Sequence, residues 1–401
     1  MPLGLYVSVP FCRSKCSFCN FASGVFSRDQ MNAYMTRLRE ELTGAEALAE
    51  SFAAEFERTV DSIYLGGGTP TTLARDQLAG IFEVIRNEFD VLPAAEITVE
   101  CAPGTLRPDI LEALLRSGTN RVSLGTQSLI DDEIKSVGRL HTAQQAFTDI
   151  QALRAAGISN INVDLVAGLP HQTAASWRLS LEQLAELAVP HASVYILEVD
   201  EDSRLGRELI AGGNRYHAHY VPDSDLAADL YLDAVGFLKP ELEQYEISNF
   251  SRPGCESRHN LKYWTRQPYL GFGLDAHSML RAYRSSAEFE SVRFANVDDL
   301  SAYLSASPRP GPTFITPRSA SEETMFLGLR LNRGIDLNAV EPAGREGLNP
   351  QIRELSELGL VEHSGSFLRL TSRGRLLSNE VFERFISTEE SVAENRPCFV
   401  E

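Results

Sequence analysis

Apolar positions along the first half of the chain follow two alternating rhythms. Short β-rich runs occur at 5–9, 62–65, 96–100, 121–125, 161–166 and 193–199. Between them lie longer stretches with helical spacing, among them 31–56, 76–89, 142–156 and 174–187. Six strands alternating with helices predict a parallel sheet joined by right-handed crossovers. Several runs are apolar on both faces, as strands of a covered parallel sheet must be. The expected fold is α/β, an open or partial (β/α)6 barrel with its chemistry at the carboxyl ends of the strands. No repeat of about 20–50 residues is visible beyond this alternation.

The rhythm changes after residue 305. Pro308, Pro310, Pro312 and Pro317 crowd a short stretch, and 306–320 reads as a stiff, extended linker. Beyond it the pattern predicts helices at 322–331 and 350–358, two short strands around Val361 and Leu368, and a last helix from Arg373. That order suggests a small winged-helix-like domain over 321–387, with a disordered tail over 388–401. The barrel is expected over 1–240 and a separate region over 241–305.

Composition narrows the function classes. The chain has 401 residues, 43% of them apolar and 23% charged, ordinary for a globular protein. A net charge of −18 argues against a nucleic-acid partner, which needs surplus Lys and Arg. Winged-helix units often read nucleic acid, yet residues 321–401 hold 9 Arg and no Lys against 14 Asp plus Glu. The opening "MPLGLYVSVPF" lacks a basic leader, and Pro10 interrupts its apolar run. Neither a signal peptide nor a membrane span is expected. A cytoplasmic protein with reduced thiols is the expectation, with peripheral membrane association left open.

Three of six cysteines, Cys12, Cys16 and Cys19, lie within eight residues, while Cys101, Cys255 and Cys398 are scattered. Disulfides suit neither that clustering nor the reducing compartment. A closed zinc site wants a fourth ligand, and the residues that follow are Asn20 and Phe21. A 4Fe-4S cubane fits better, because three thiolates hold three irons and leave the fourth open for a ligand. Other features sit at predicted strand ends. Gly66, Gly67 and Gly68 close the second strand, Glu100 ends the third and Gln127 follows the fourth. Asp164 lies within the fifth, where a buried carboxylate needs a partner such as Arg139 or a ligand.

The C-x3-C-x2-C loop after a first strand resembles the signature of radical S-adenosylmethionine (SAM) proteins. That resemblance implies that the open iron is chelated by the amino and carboxylate groups of SAM, which the cluster cleaves to a 5′-deoxyadenosyl radical. The succession "PFCRSKCSFCNF", "GGGTP", "ECAPGT", "SLGTQS", "VGRLH", "DLVAGLP" is similar to the coproporphyrinogen-oxidase-like branch. Position by position, Tyr6, Gly67 and Glu100 match that branch's contacts to cluster-bound SAM. Phe18, Gly68, Thr69, Gln127, Arg139 and Asp164 match its further contacts in the same cavity. Two departures weigh against the oxygen-independent oxidase itself. Phe21 stands where the oxidase has another cysteine, and only eleven residues precede Cys12.

Residues 259–264, "HNLKYW", match the H-N-x-x-Y-W motif typical of HemW-type heme chaperones. The resemblance implies a carrier that binds heme and passes it to an acceptor protein, with 241–305 as its distinguishing region. Imidazole is a common heme ligand, and Tyr and Trp offer flat apolar surface. Pro253 and Gly254 predict a loop that leaves His259 accessible as the iron ligand, with His277 the second candidate.

Overall fold

The computed structural model describes residues 1–283, 288–306, 309–340 and 342–386. Pro308, Cys398 and the expected disordered tail lie outside them. The chain divides into a large unit, Met1–Tyr263 with Gln267–Phe314, and a small one, Trp264–Arg266 with the described residues from Ile315 onward.

Twelve strands form one sheet. They are β1 (Leu3–Val9), β2 (Thr59–Gly67), β3 (Asp90–Cys101), β4 (Arg121–Gln127), β5 (Asn160–Ala167) and β6 (His191–Ile196), followed by β7 (Glu243–Gln244), β8 (Asn249–Ser251), β9 (Tyr269–Phe272), β10 (His277–Arg281), β11 (Ser291–Ala295) and β12 (Thr313–Ile315). Their spatial order is β12-β11-β10-β9-β1-β2-β3-β4-β5-β6-β8-β7. The run from β9 through β6 is parallel throughout. β8 and β10 attach antiparallel at its two sides.

Local chemistry explains the elements between the first six strands. The helix Arg28–Thr43 starts at a Ser27–Gln30 capping box, and Ala143–Ala155 at a Thr142–Gln145 box. Gly44 ends the first of these, so the stretch expected as one helix over 31–56 is two, Arg28–Thr43 and Ala45–Ser51. Helix Arg75–Glu88 buries Leu78, Ile81, Phe82 and Ile85, the i, i+3, i+4, i+7 face of an amphipathic helix. Each such side chain contributes about 1.5–3 kcal/mol on burial. The core runs from β1 (Leu3, Leu5, Val7, Val9) through β2 and β3 to the helices that cover them.

The six expected strands are all present, and the sheet extends beyond them. β9 is a seventh parallel strand, pairing Gly4 with Tyr269 and Val7 with Phe272. It is only four residues long, too short to stand out by periodicity. Gly271 is required within it, since a Cβ there would meet the His277 carbonyl oxygen at 2.2 Å. Residues 243–295 thus supply strands on both flanks of the sheet. A buried carboxylate ties one flank down. Glu41 accepts from Gly273 N (3.0 Å), Asn296 Nδ2 (2.7 Å), the Tyr303 hydroxyl (2.6 Å) and Arg309 (2.6 Å).

The small unit contains helices Pro317–Gly328 and Pro342–Glu357, a hairpin of Val361–Ser364 with Phe367–Leu370, and helices Ser372–Leu376 and Ser378–Glu383. Ile335–Asp336 makes a third strand against the hairpin. The order is that expected of a winged-helix-like unit.

Candidate functional site

The loop after β1 is closed at its neck by backbone. Cys12 N donates to Gly24 O (2.8 Å) and Gly24 N to Pro10 O (2.9 Å). The three cysteines lie inside this closed loop, half-buried, and all three are free thiols. Neighbouring chain pins the loop from outside. Ser17 N donates to Val137 O (3.0 Å), and Leu205 N donates to Ser17 O (2.8 Å). Ser14 Oγ donates to Gly138 O (3.0 Å) and Asn20 Nδ2 to Asp200 (3.2 Å).

The glycine turn after β2 seats the loop. A Cβ on Gly68 would stand 2.6 Å from Val9 O and 2.8 Å from Phe11 N, so only glycine lets the cysteine loop lie against this turn. Gly67 has φ +88°, a left-handed backbone that favours glycine. Thr69 N donates to Phe11 O (2.9 Å), and Thr69 Oγ1 donates to Cys12 Sγ (3.8 Å). Ser23 Oγ lies 3.7 Å from Cys19 Sγ. Burial pushes the Cys12 and Cys19 thiols up; the Thr69 and Ser23 hydroxyls act against it, and neighbouring thiols add to it. A positive centre among them would reverse that balance.

Polar side chains gather beside the loop. Tyr64 donates to Glu100 Oε1 (3.0 Å). Burial, and then the charge of Asp164, push the Glu100 carboxyl up to about 7. Asp164 accepts from Asn162 Nδ2 (2.6 Å) and Ser123 Oγ (3.3 Å), and burial raises it too. Arg139 stands near Gln127, both within about 3.5 Å of where a Gly125 Cβ would be. Its Nε is buried and has no hydrogen-bond partner among the described residues. An orphaned buried guanidinium nitrogen fits a ligand with acceptor groups. Arg139 makes no direct ion pair with Asp164 among the described residues, though its charge and that of Arg121 act on the carboxyl against burial. Gln127 itself has φ +67°, at an irregularity in the β4–β5 register. Phe18 packs on Val137, Val166 and Leu169 with Tyr195 and Leu197, an apolar wall beside the cysteines. Tyr6 lies on β1 with its ring 6.1 Å from that of Tyr64.

His259 lies beneath this cluster, its ring 5.5 Å from that of Tyr64 and 6.5 Å from that of Tyr6, and it is not in a loop. The expectation of an accessible loop histidine is corrected: it lies in helix Arg258–Trp264 and is 0% exposed. Glu96 starts that helix by accepting from Arg258 N and His259 N, both at 3.0 Å. The imidazole bonds on both sides, Nδ1 to Ser62 Oγ (3.0 Å) and Nε2 to the Tyr263 hydroxyl (2.8 Å). Its Cε1 would be 3.2 Å from a Cβ on Gly4. Gly4 lies near the start of β1 and Cys12 three residues past its end, with about 17 Å of strand between Gly4 and Val9. Burial, then the charges of Lys262 and Arg121, hold His259 down to about 3, so it is neutral. Lys262 pairs with Asp61 at 2.8 Å. Trp264 is buried, with the Arg330 guanidinium 4.2 Å from its ring centre. His277 lies on β10, half-buried, 3.9 Å from Asp275.

Sequence reasoning passed over Tyr64, Ser123, Asn162 and Arg121. Only their alternation with apolar neighbours on strands beside Glu100 and Asp164 carried a signal. Cys101 is buried, and burial pushes its thiol up to about 12, with Thr71 and Thr105 alongside.

Residues 6–184 match the radical SAM superfamily and residues 315–377 the HemN C-terminal domain. The parallel sheet with three thiols in the loop after its first strand defines a radical SAM protein. The heme chaperone HemW of Lactococcus lactis is 32% identical over 96% of this chain and 97% of its own length. That of Bacillus subtilis is 32% identical over 95% and 98%. The chain belongs to the HemW heme chaperone family. The solved coproporphyrinogen III oxidase HemN of Escherichia coli, a radical SAM enzyme, has the same fold: TM-score 0.79 at 24% identity, covering 96% of this chain and 90% of HemN. No helix among the described residues is long and apolar enough to cross a membrane.

Proposed function

We propose that the protein binds heme and hands it to an acceptor protein in the cytoplasm, and that it carries a 4Fe-4S cluster with an exchangeable SAM. The observation that carries the cluster is the loop itself: three free thiols behind a two-bond neck, seated on Gly68 and Thr69. Cys12, Cys16 and Cys19 would each hold a different iron. Among the described residues no three His, Cys, Asp or Glu side chains converge on one metal-ion position, and thiols serving separate irons need no such point. When bound, the cluster supplies an open iron site and an electron.

Around it the chain's own residues bind and orient the cofactor. Glu100, once ionised, accepts from the amino group of the SAM methionine, and Gly67 lets backbone approach it. Arg139 offers its orphaned Nε, and Asp164 and Gln127 offer further polar contacts in the same cluster of side chains. Phe18 keeps water from one side. Heme as cargo is supported by the membership in the HemW family, whose relatives are heme chaperones. His259, bonded at both nitrogens, could reach an iron only if helix Arg258–Trp264 opened.

Anaerobic reconstitution with iron and sulfide, followed by electron paramagnetic resonance with and without SAM and by heme titration, tests both halves. The expected result is a reduced-cluster spectrum perturbed by SAM, and saturable heme binding. Conversion of coproporphyrinogen to protoporphyrinogen under reducing conditions would overturn the carrier reading in favour of an oxidase.

A further inference from the structure

His171 and His217 stand together on the same rim as the cysteine loop. His171 follows β5 in the turn Gly168-Leu169-Pro170-His171, and His217 precedes the short turn Ala218–Tyr220. Their facing nitrogens, His171 Nε2 and His217 Nδ1, are 3.1 Å apart. Both residues have a left-handed backbone, φ +68° and +61°, uncommon for residues with a side chain though less so for histidine than for most. Strained residues of this kind concentrate where a side chain has a task.

The surroundings hold the pair in place. His171 N donates to Tyr220 O (2.9 Å), and the Tyr220 ring stacks on His171 with centroids 4.1 Å apart. The buried Glu208, on helix Arg204–Ala211, accepts from Arg215 N (2.7 Å), Tyr216 N (2.8 Å) and Ala218 N (3.1 Å). The turn carrying His217 is therefore clamped to that helix. The same helix hands Leu205 N to the cysteine loop at Ser17. What this segment shows to solvent is apolar and cationic. Tyr220 is 54% exposed and Ile210 67%, and Arg215 and Arg207, the latter 3.8 Å from exposed Asp202, are exposed on the same segment.

We propose that His217 Nε2 is the axial ligand that takes heme iron, with His171 as its positioning residue. The inference rests on the heme-carrier reading above and gives that cargo a site. A ligating imidazole normally donates its second ring N–H to an acceptor, which fixes the tautomer and raises its basicity. With the shared proton on His217 Nδ1, His171 Nε2 is that acceptor and the Nε2 lone pair of His217 is left for iron. Tyr220 and Ile210 offer apolar surface to the macrocycle, and Arg207 and Arg215 suit the propionates. His259 differs in that both its nitrogens are hydrogen-bonded inside the core.

Hemin titration of the full chain, followed through the Soret band, tests the site with His217→Gly, His171→Gly and His259→Ala. Glycine suits the left-handed backbone at both rim positions, so those variants should fold, as far-ultraviolet circular dichroism will verify. His217→Gly should weaken hemin binding by about tenfold or more and lose the histidine-ligated spectrum, and added imidazole should restore that spectrum. His171→Gly should keep binding but lower the iron–histidine stretching frequency of the ferrous form. Wild-type affinity and an unchanged Soret band in His217→Gly overturn the site while leaving the carrier reading intact. A wild-type protein that binds no hemin overturns both. Loss of the spectrum in His259→Ala alone, with the fold preserved, assigns the iron to His259 and overturns the proposal.

Discussion

The Tyr64 hydroxyl donates to Glu100 Oε1 over 3.0 Å, while burial and the charge of a second carboxylate, Asp164, raise Glu100. Glu100 therefore ionises near neutrality, at about 7. The sign follows directly. If Glu100 accepts from the amino group of SAM, its ionised form is the acceptor, and affinity should rise with pH through 7. The gain between pH 6 and pH 8 should be about an order of magnitude. Tyr64→Phe removes a bond that favours the carboxylate and should move the profile to higher pH. Calorimetric titration with SAM at several pH values gives the answer; a flat profile removes Glu100 from the contact.

Replacing Cys12, Cys16 or Cys19 with Ala should abolish the cluster, because three thiolates give a mount without redundancy. Cys101→Ala and Cys255→Ala should leave it intact, the first because its thiol is buried away among Thr71 and Thr105. Iron and sulfide content after anaerobic reconstitution decides; a full cluster in Cys16→Ala would sink the assignment.

Gly68→Ala should disturb the cysteine loop from behind. Its Cβ would press on Val9 O and Phe11 N, backbone atoms that cannot rotate aside. Destabilisation of roughly 1–3 kcal/mol is expected, with iron loading falling more than Tm predicts. Loading equal to wild type would mean the neck adapts.

His259 makes the fold sensitive to acid. Its folded-state value of about 3 lies below its unfolded value near 6.5. The folded protein thus keeps it neutral while the unfolded chain takes up a proton, and stability falls as pH drops from 6.5 toward 3. Going from pH 7 to pH 5 should remove roughly 2 kcal/mol through this residue. His259→Gln keeps hydrogen-bonding capacity without the titration, so its denaturation midpoint should fall less over the same interval. An equal fall of the urea midpoint in wild type and variant between the two pH values would exclude His259 as the group responsible.

The parallel strands were legible because each is a compact apolar run between helical stretches with clear caps, as at Ser27 and Thr142. The cysteine loop, the glycine turn and Glu100 could be found because strand ends are where barrel chemistry sits. The flanking strands could not be read so easily. β7 is two residues and β8 three, and β9 depends on a partner some 260 residues away in sequence, a pairing no local pattern encodes. His259 was misplaced for a related reason. Pro253 and Gly254 do mark a turn, but the helix that follows is started by Glu96, and only the fold brings that carboxylate to Arg258 and His259. The rim histidines escaped because 46 residues separate them and neither lies in a motif.

Strand β1 pairs with β2 on one side and β9 on the other, and this sets an order of events during synthesis. When the cysteine-bearing segment leaves the ribosome, one edge of its supporting strand has no neighbour. That edge is covered only after Tyr269–Phe272 have emerged, when two-thirds of the chain has been made. The Ser17 backbone likewise waits for Val137 and Leu205. The loop that carries the three cysteines is thus braced late, after most of the chain that pins it has been made.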